Sequence, residues 1–370
     1  MNARKTICFF GIYDPEYART KVLREGFEAN GYEVLPARID PKRAAGWGKY
    51  ISLFQEGWRI RKAKPDLILV CFPGHTVVWM ARMLFGNRIM FDAFVSLYDS
   101  NVFDRGSYQP GSWKAYRDLR MDRISCSLAS VVLLDTDAHR EYFAETIGVP
   151  LVKTERVFIG ADLAIFSPEG EIAAKTDSRT LVTFHGTFIP LQGIEYIIDA
   201  VALLPQEDFC FRIIGSGQTY DEMRAYAKEK EVDEVIEWTG RLPITEAAKH
   251  VRAADITLGI FGTTPKTRRV IPNKAFECAA AGKALITADT PAIREFFTPG
   301  ENIEVCAIGS SESLATSIRK VKGDEGYRRR LGESARELVQ AELQPKGIVA
   351  RLLEALQDRH PRVLGQASVR

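Results

Sequence analysis

The segment 270–287 carries the strongest sign of chemistry in the sequence. Pro272 precedes a run with helical periodicity, and a proline predicts the first turn of a helix because its missing N–H would be unpaired there. Free backbone amides at a helix start bind anions. Glu277 follows one turn later, where a carboxylate can accept hydrogen bonds from sugar hydroxyls. A helix end with a solvated basic loop is the alternative interpretation.

Four cations surround this predicted helix start. They are Lys266, Arg268, Arg269 and Lys274. Several cations at one helix entrance favour a diphosphate over a single carboxylate, because each charged donor adds a charge-assisted hydrogen bond to the phosphate oxygens. The segment therefore predicts a site for an anionic, nucleotide-type ligand.

Length and composition describe an ordinary globular protein. The chain has 370 residues, which predicts two domains. Hydrophobic residues make up 46% and charged residues 26%, a balance that argues against extensive disorder. The net charge of +2 gives no global reason to expect a nucleic acid partner. Six cysteines lack the close spacing of metal or redox motifs, which indicates reduced thiols in a cytoplasmic protein.

Membrane signals are weak. The apolar run after Arg4 and Lys5 is too short for the core of a signal peptide, and we expect no spanning helix because no stretch reaches about 18 apolar residues. Two basic, partly apolar helix ends, 58–64 and 79–85, could contact an anionic bilayer. The alternative is that both helix ends are solvated. The sequence therefore predicts a cytoplasmic protein, and peripheral contact with the inner membrane face stays an open alternative.

Short apolar runs alternate with amphipathic stretches along the whole chain. This alternation predicts an α/β fold with parallel sheets. In the first half we predict strands at 6–10, 33–37, 67–72, 88–91 and 131–134, with helices at 17–30, 49–64, 77–85, 113–128 and 136–147. In the second half we predict strands at 181–184, 209–214, 235–238, 256–260, 284–287 and 303–305.

The polar stretch 160–179 interrupts this alternation and predicts a linker. We therefore expect a Rossmann-like domain over 1–165 and a second over 166–345. A C-terminal helix and tail over 346–370 would pack back on the first domain. Ligands of such sheets bind beyond the carboxyl ends of the strands, so we expect a site in a cleft between two domains that face one another.

Four motifs, in order and spacing, resemble the GT-B glycosyltransferases of the large retaining family 4. They are FIGAD at 158–162 with Phe166 and Pro168, FHGTF at 184–188 with Gly193, IGSG at 214–217, and PNK at 272–274 with Phe276, Glu277 and Gly282. The resemblance covers the whole chain and is sharper in the second half. It implies a metal-independent enzyme without a cofactor, whose nucleotide-sugar donor binds the C-terminal domain.

The resemblance also assigns donor-binding residues. Glu277 would bind the donor ribose, and the turn at Gly186 and Thr187 would approach the diphosphate with backbone amides. Gly215 and Arg241 would flank the nucleobase. Asn273 and Lys274 would lie close to the phosphates, and Gln192 and Arg268 complete the predicted donor-binding set.

The sequence departs from the family pattern at the phosphates. Thr187 and Gln192 stand where many members have an Arg and a Lys, and Arg269 stands where an acidic residue often contacts the transferred sugar. Such cations stabilise the leaving group, so an active enzyme needs substitutes for them. We predict a relocated phosphate clamp drawn from Lys266, Arg268, Arg269 and Lys274 and count Lys266 among the catalytic residues. Degeneration to an inactive relative is the alternative.

Two residues of the first half are candidate catalytic residues on the acceptor side. His75 and Asp92 each follow a predicted strand, and the resemblance places a polar contact to the reacting sugar at Asp92. A structural role such as capping remains open for both. The D-x-D sequence at 135–137 resembles a metal motif of another transferase class. Its position at the start of a predicted helix favours capping, and we predict no metal site.

Taken together, the sequence predicts a retaining glycosyltransferase. It would move a hexose or related sugar from a nucleoside-diphosphate donor to a lipid-linked or glycan acceptor, as in polysaccharide or glycolipid biosynthesis. Two alternatives stay open. A sugar-nucleotide epimerase of the same architecture would convert the donor without an acceptor, and a non-catalytic relative would only bind it.

Overall fold

The computed structural model describes residues 4–42, 46–175 and 178–364. The chain folds into two compact units. Unit 1 comprises the described residues within Met1–Val102, Gly106–Gly160 and Leu343–Arg370, and unit 2 comprises those within Phe103–Arg105 and Ala161–Glu342. Positions 176 and 177 of the predicted linker and 365–370 of the predicted tail lie outside the described residues.

Unit 1 is built on a six-stranded parallel sheet with strand order β2-β1-β3-β4-β5-β6. Its central strands are short apolar runs such as LILV and VVLL, buried on both faces as in sheets covered by helices on each side. The strands are β1 Lys5–Ile12, β2 Tyr32–Ile39, β3 Leu67–Val70, β4 Ile89–Phe94, β5 Val131–Leu134 and β6 Thr154–Arg156. The helices between them are α1 Ala18–Ala29, α2 Gly48–Arg61, α3 Val78–Phe85, α4 Trp113–Leu128 and α5 Asp137–Tyr142.

The strand order assigns the helices of unit 1 to two layers. From β2 onward each crossover moves the same way across the sheet, whereas the crossover from β1 to β2 moves the opposite way. Because such crossovers are right-handed, α2, α3 and α4 cover one face and α1 covers the other. Helix α2 packs beside α3, and α3 packs beside α4.

Unit 2 has a second six-stranded parallel sheet, with order β12-β11-β10-β7-β8-β9. The strands are β7 Thr180–His185, β8 Phe209–Ile214, β9 Ile236–Gly240, β10 Ile256–Leu258, β11 Ala284–Ala288 and β12 Glu304–Cys306. The helices are α6 Ile194–Ala202, α7 Tyr220–Glu229, α8 Ile244–Ala253, α9 Asn273–Ala280, α10 Ser311–Gly323 and α11 Glu325–Glu342. Phe184, Phe188 and Phe211 lie in its apolar core.

The last helix, α12 Pro345–Arg359, belongs to unit 1 and packs on α1. Gly26 allows this close approach, because a Cβ there would lie 2.4 Å from the Pro345 carbonyl oxygen and from the Val349 side chain. None of the helices in the described ranges is both long and apolar enough to cross a bilayer.

The predicted α/β fold with parallel sheets is confirmed. The prediction missed β6, whose polar sequence TER has no apolar run to mark it. It also extended the helix after β5 through residue 147, although α5 ends at Tyr142 and continues as a π-helical turn, Phe143–Ile147.

The predicted linker 160–179 contains neither helix nor strand in its described part. The Arg252 side chain fixes this stretch by donating to the carbonyl oxygens of Ile165, Ser167 and Glu171. The structure divides the chain after Gly160, within the stretch and five positions before the predicted boundary.

Candidate functional site

Two glycine turns meet at the carboxyl edge of the unit 2 sheet. Gly186 follows β7 and Gly215 follows β8, the neighbouring strand. Both have positive φ, +156° and +142°. A Cβ on Gly215 would lie only 1.8 Å from the Gly186 carbonyl oxygen. The two turns therefore pack backbone against backbone, which requires glycine and leaves open space above them.

That space is a pocket of about 750 Å³ formed entirely by unit 2. Its size suits a ligand larger than a single sugar. The lining residues are Phe166, His185, Gly186, Thr187, Ile214, Gly215, Ser216, Gly217, Arg241, Leu242, Pro243, Ile244, Ala247 and Glu277. Five of the predicted donor-binding residues therefore lie on its wall, namely Gly186, Thr187, Gly215, Arg241 and Glu277.

Substituting Gly215 with alanine should destabilise unit 2 by about 2 kcal/mol, because the new Cβ meets backbone that cannot move aside and φ is already positive. Gly240→Ala is the matched control, since Gly240 also has positive φ, +68°, but open space around it. Urea unfolding of both variants measures the difference. Equal losses would show that the close contact between the two turns does not constrain residue 215.

Glu277 reaches the pocket from α9 and binds a histidine that sequence analysis did not assign. His185 Nε2 lies 2.8 Å from Glu277 Oε2, and the His185 ring stacks on Phe166. Burial lowers the pKa of His185, but its contacts with Cys278 and Glu277 outweigh burial and raise the pKa to about 9. At neutral pH the imidazolium therefore donates a hydrogen bond to Glu277 Oε2 and positions this side chain.

The His185 proton should make stability depend on pH in one direction. The folded state keeps this proton up to about pH 9, whereas an unfolded chain releases it near 6.5. The contribution is therefore full below about pH 6.5 and is lost as the pH rises through about 9. Urea unfolding at pH 6 and pH 9.5 should show a larger loss in the wild type than in His185→Asn. Equal pH dependence in the two proteins would contradict the assignment.

Lys274 lies directly beneath the Gly186 turn. Its Nζ is 2.5 Å from Gln192 Oε1, 3.5 Å from the Gly259 carbonyl oxygen and 3.5 Å from the centre of the Phe184 ring. A Cβ on Gly186 would lie 2.7 Å from this Nζ, so only glycine lets the amine come so close to the turn. Burial lowers the pKa of Lys274 well below its usual range, against the opposing effects of Cys278 and Glu277.

The other cations of the predicted clamp are placed differently. Lys266 pairs with Asp104 at 3.3 Å, and both side chains are buried. Arg268 is exposed and Arg269 is half-buried, and neither lines the pocket. Of the four cations, Lys274 is the one that the structure places in contact with the glycine turn.

The helix start itself needs one correction. Pro272 was predicted in the first turn, but it is the N-cap residue with extended ψ, and α9 begins at Asn273. Asn273 is half-buried and does not line the pocket. The turn preceding the helix is a 3₁₀ segment, Pro265–Arg268, in which Lys266 and Thr267 are buried and Arg268 is exposed.

Asp92 and His75, the two candidate residues of unit 1, are both buried, and each contacts another side chain. Asp92 accepts a hydrogen bond of 2.7 Å from Arg19 Nε, and burial raises the pKa of Asp92 while Arg19 opposes this. His75 Nε2 lies 3.3 Å from Asp122 Oδ1, and its ring meets Phe91 edge-on. Burial lowers the pKa of His75 to about 4, so it is neutral at physiological pH. Catalytic roles for Asp92 and His75 stay predictions.

The D-x-D sequence caps a helix, as predicted. The Thr136 hydroxyl accepts from the His139 backbone N–H at the start of α5, while Asp135 binds His139 Nδ1 and Asp137 binds Arg140. In the described parts of the chain no group of three His, Cys, Asp or Glu side chains could hold a metal ion.

Comparison with known proteins gives partial sequence matches and whole-chain fold matches. Residues 169–338 match the family described as glycosyl transferases group 1. Over 154 residues the chain is 26% identical to an uncharacterized glycosyltransferase of Methanocaldococcus jannaschii, covering 42% of this chain and 41% of that protein. The matches cover between 26% and 63% of the length of the curated relatives.

Several solved structures resemble nearly the whole chain. Sucrose-phosphate synthase from Thermosynechococcus elongatus matches with a TM-score of 0.72 at 17% identity, over 97% of this chain and 100% of that one. Anabaena HepE in complex with UDP-glucose matches with a TM-score of 0.71 at 16% identity, over 95% and 99%. At these identities the likeness shows the fold, which is that of the GT-B proteins.

Proposed function

We propose that this protein, whose second unit matches the glycosyl transferases group 1 family on a GT-B fold, is a retaining glycosyltransferase that uses a nucleoside-diphosphate sugar. The donor would bind the unit 2 pocket. The acceptor class stays open between lipid-linked sugars and glycans. The reaction would need neither a metal ion nor a cofactor.

One observation carries this proposal. A carboxylate suited to sugar hydroxyls lines the pocket, and a buried amine suited to phosphate lies against the Gly186 turn of the same wall without itself lining the pocket. Glu277 lines the pocket, held by His185, and Lys274 Nζ lies below Gly186. A ligand with a ribose and a diphosphate would use both groups at once. The fold match to HepE, whose structure contains UDP-glucose, supports a UDP-sugar as the first donor to test.

The proposed chemistry follows from this placement. The Gly186 amide already donates to the Ile214 carbonyl oxygen at 2.9 Å. The Thr187 amide and the Lys274 ammonium would therefore stabilise the negative charge that develops on the departing diphosphate. In retention by front-face attack, the acceptor oxygen bonds to the anomeric carbon as the bond from that carbon to the phosphate oxygen breaks. The leaving phosphate oxygen takes the acceptor proton. Lys274 would then replace the Arg and Lys that Thr187 and Gln192 displace.

A panel of nucleotide sugars tests the proposal. Thermal shift measurements with UDP-, GDP-, ADP- and TDP-sugars should reveal one stabilising donor class. Mass spectrometry should then detect sugar transfer to supplied acceptors, or slow hydrolysis without one. Conversion of the donor into a stereoisomer would favour an epimerase instead. Stabilisation by a donor that is neither transferred nor hydrolysed would favour a non-catalytic binder.

A further inference from the structure

Tryptophan is distributed unevenly over this protein. Four of its five tryptophans lie in unit 1 on or beside α2, α3 and α4, and all four are exposed. The exposed fractions are 84% for Trp47, 48% for Trp58, 49% for Trp79 and 74% for Trp113. Large exposed aromatic side chains clustered on one surface mark an interaction site, because isolated proteins bury such area.

Three of these indoles lie at the same edge of the unit. Trp47 immediately precedes α2, Trp79 is the second residue of α3, and Trp113 is the first residue of α4. Each helix ends a few residues before the next strand begins, so its start lies toward the carboxyl edge of the sheet. Since α2, α3 and α4 pack side by side, the three helix starts that carry these indoles form a row.

Further apolar side chains extend this row along the outer surface of the layer. They are Ile51, Met83, Tyr116 and Ile124, all exposed. On α3, Trp79 and Met83 are four residues apart and therefore lie on one side of the helix. On α4, the exposed positions Trp113, Tyr116 and Arg120 follow the same helical spacing. We call this outer surface of α2, α3 and α4 the tryptophan face.

The tryptophan face is also strongly basic. The segments 46–64, 78–88 and 113–128 hold eleven Lys and Arg against three Asp and Glu, and two of those three acids, Asp118 and Asp122, are buried. The whole chain carries only +2, so the remaining residues are net negative. Arg61 lies 5.1 Å from the centre of the Trp58 ring, and Arg120 lies 5.9 Å from that of Tyr116.

This combination selects one kind of partner. Indole rings partition to the headgroup level of a bilayer, and arginine and lysine near them bind anionic phosphate groups while their aliphatic stems stay in contact with apolar surface. Each basic side chain near an anionic surface adds attraction that salt weakens. A net negative remainder of the chain would be repelled by the same surface, which favours one orientation.

We propose that the tryptophan face docks on an anionic phospholipid bilayer, with Trp47, Trp79 and Trp113 at headgroup depth. This inference goes beyond the proposed function, because lipid binding needs neither a donor nor glycosyl transfer. Where the proposed function also holds, docking would bring unit 1 to the surface that presents lipid-linked acceptors. The proposed docking surface includes the two helix ends at 58–64 and 79–85, which the sequence identified as candidates for bilayer contact. It adds the rest of the helix layer, including α4.

Vesicle co-sedimentation tests the proposal. The full-length protein should sediment with vesicles of phosphatidylcholine and phosphatidylglycerol, bind pure phosphatidylcholine vesicles at least about tenfold more weakly, and lose binding as salt rises. The triple variant W47A/W79A/W113A should bind the anionic vesicles at least about tenfold more weakly. So should the variant R61Q/K62Q/K64Q, because each basic residue adds attraction.

A matched control separates docking from general surface hydrophobicity. The variant I172A/L203A removes two exposed apolar side chains from unit 2 and should bind as the wild type does. Thermal unfolding of each variant verifies folding, which exposed positions should not disturb. Equal binding to both vesicle types, or equal losses in the control and the tryptophan variant, would overturn the proposal. Sedimentation velocity without vesicles gives a further test. A mass that is lower for W47A/W79A/W113A than for the wild type would also overturn the proposal, because it would show that the tryptophan face binds a second copy of the chain.

Discussion

Glu277→Gln is expected to weaken binding of a nucleotide-sugar donor about 10²-fold, because hydrogen bonds to a charged acceptor contribute about 1.5–3 kcal/mol. The carboxylate lines the unit 2 pocket with its side chain 12% exposed, so a ligand can reach it. Glutamine keeps the shape but offers one acceptor oxygen without charge. Isothermal titration calorimetry with the donor identified in the panel measures the change.

The control for this prediction is another glutamate of unit 2. Glu234 is exposed and does not line the pocket, so Glu234→Gln should leave donor affinity within about twofold. His185→Asn should weaken binding less than Glu277→Gln, because it removes the group that positions the carboxylate but leaves the carboxylate itself. The double variant His185→Asn/Glu277→Gln should lose less than the sum of both changes. Unchanged affinity in Glu277→Gln would remove this residue from the donor site.

The fold was predictable to the extent that apolar periodicity marks buried strands. The runs at β3 and β5 are wholly apolar and were predicted within two residues, since a parallel strand covered on both faces must be apolar throughout. Strand β6 was not predicted because its sequence, TER, is polar. It pairs with β5 through backbone hydrogen bonds, which do not depend on the side chains. The π-helical continuation of α5 was not predicted either, because its buried residues Phe143 and Ile147 are four positions apart, as they would be in a continued α-helix.

The glycine turns of the site were predictable for a related reason. Gly186 and Gly215 occupy positions where a side chain would strike backbone or a buried amine, and such positions restrict the residue type. The partner of Glu277 was not predictable, because His185 lies 92 positions away and meets it only through the pairing of β7 with its neighbours and the packing of α9. The arrangement of Trp47, Trp79 and Trp113 was not predictable either, because the strand order decides which helices lie side by side.

The sequence also could not tell which of the clustered cations faces the phosphates. Lys266, Arg268 and Lys274 are near in sequence, but a 3₁₀ turn and an α-helix point neighbouring side chains in different directions. Lys274 and Cys278 are four residues apart on the buried side of α9, whereas Arg268 is exposed. The structure therefore separates one cation from the predicted group.

Lys274→Met is accordingly expected to lower kcat for sugar transfer by about 10²- to 10³-fold, as loss of one donor to a developing anion does. Methionine keeps the length of the side chain on the Phe184 ring, so unfolding by urea should show a folded protein. Arg268→Gln is the matched control and should change kcat by less than about threefold. A large loss in Arg268→Gln with an active Lys274→Met would move the phosphate clamp to the 3₁₀ turn.

The lowered pKa of Lys274 gives a second measurement that distinguishes phosphate contact from a structural role. Burial favours the neutral amine in the free protein, and a bound diphosphate would favour the ammonium, so donor binding should take up a proton. Donor affinity should then fall as the pH rises, because a deprotonated amine must first bind that proton. Calorimetry in buffers of different ionisation enthalpy counts the protons taken up. Uptake that persists in Lys274→Met would assign the proton to another group, whereas its loss would place the Lys274 amine against the donor phosphates.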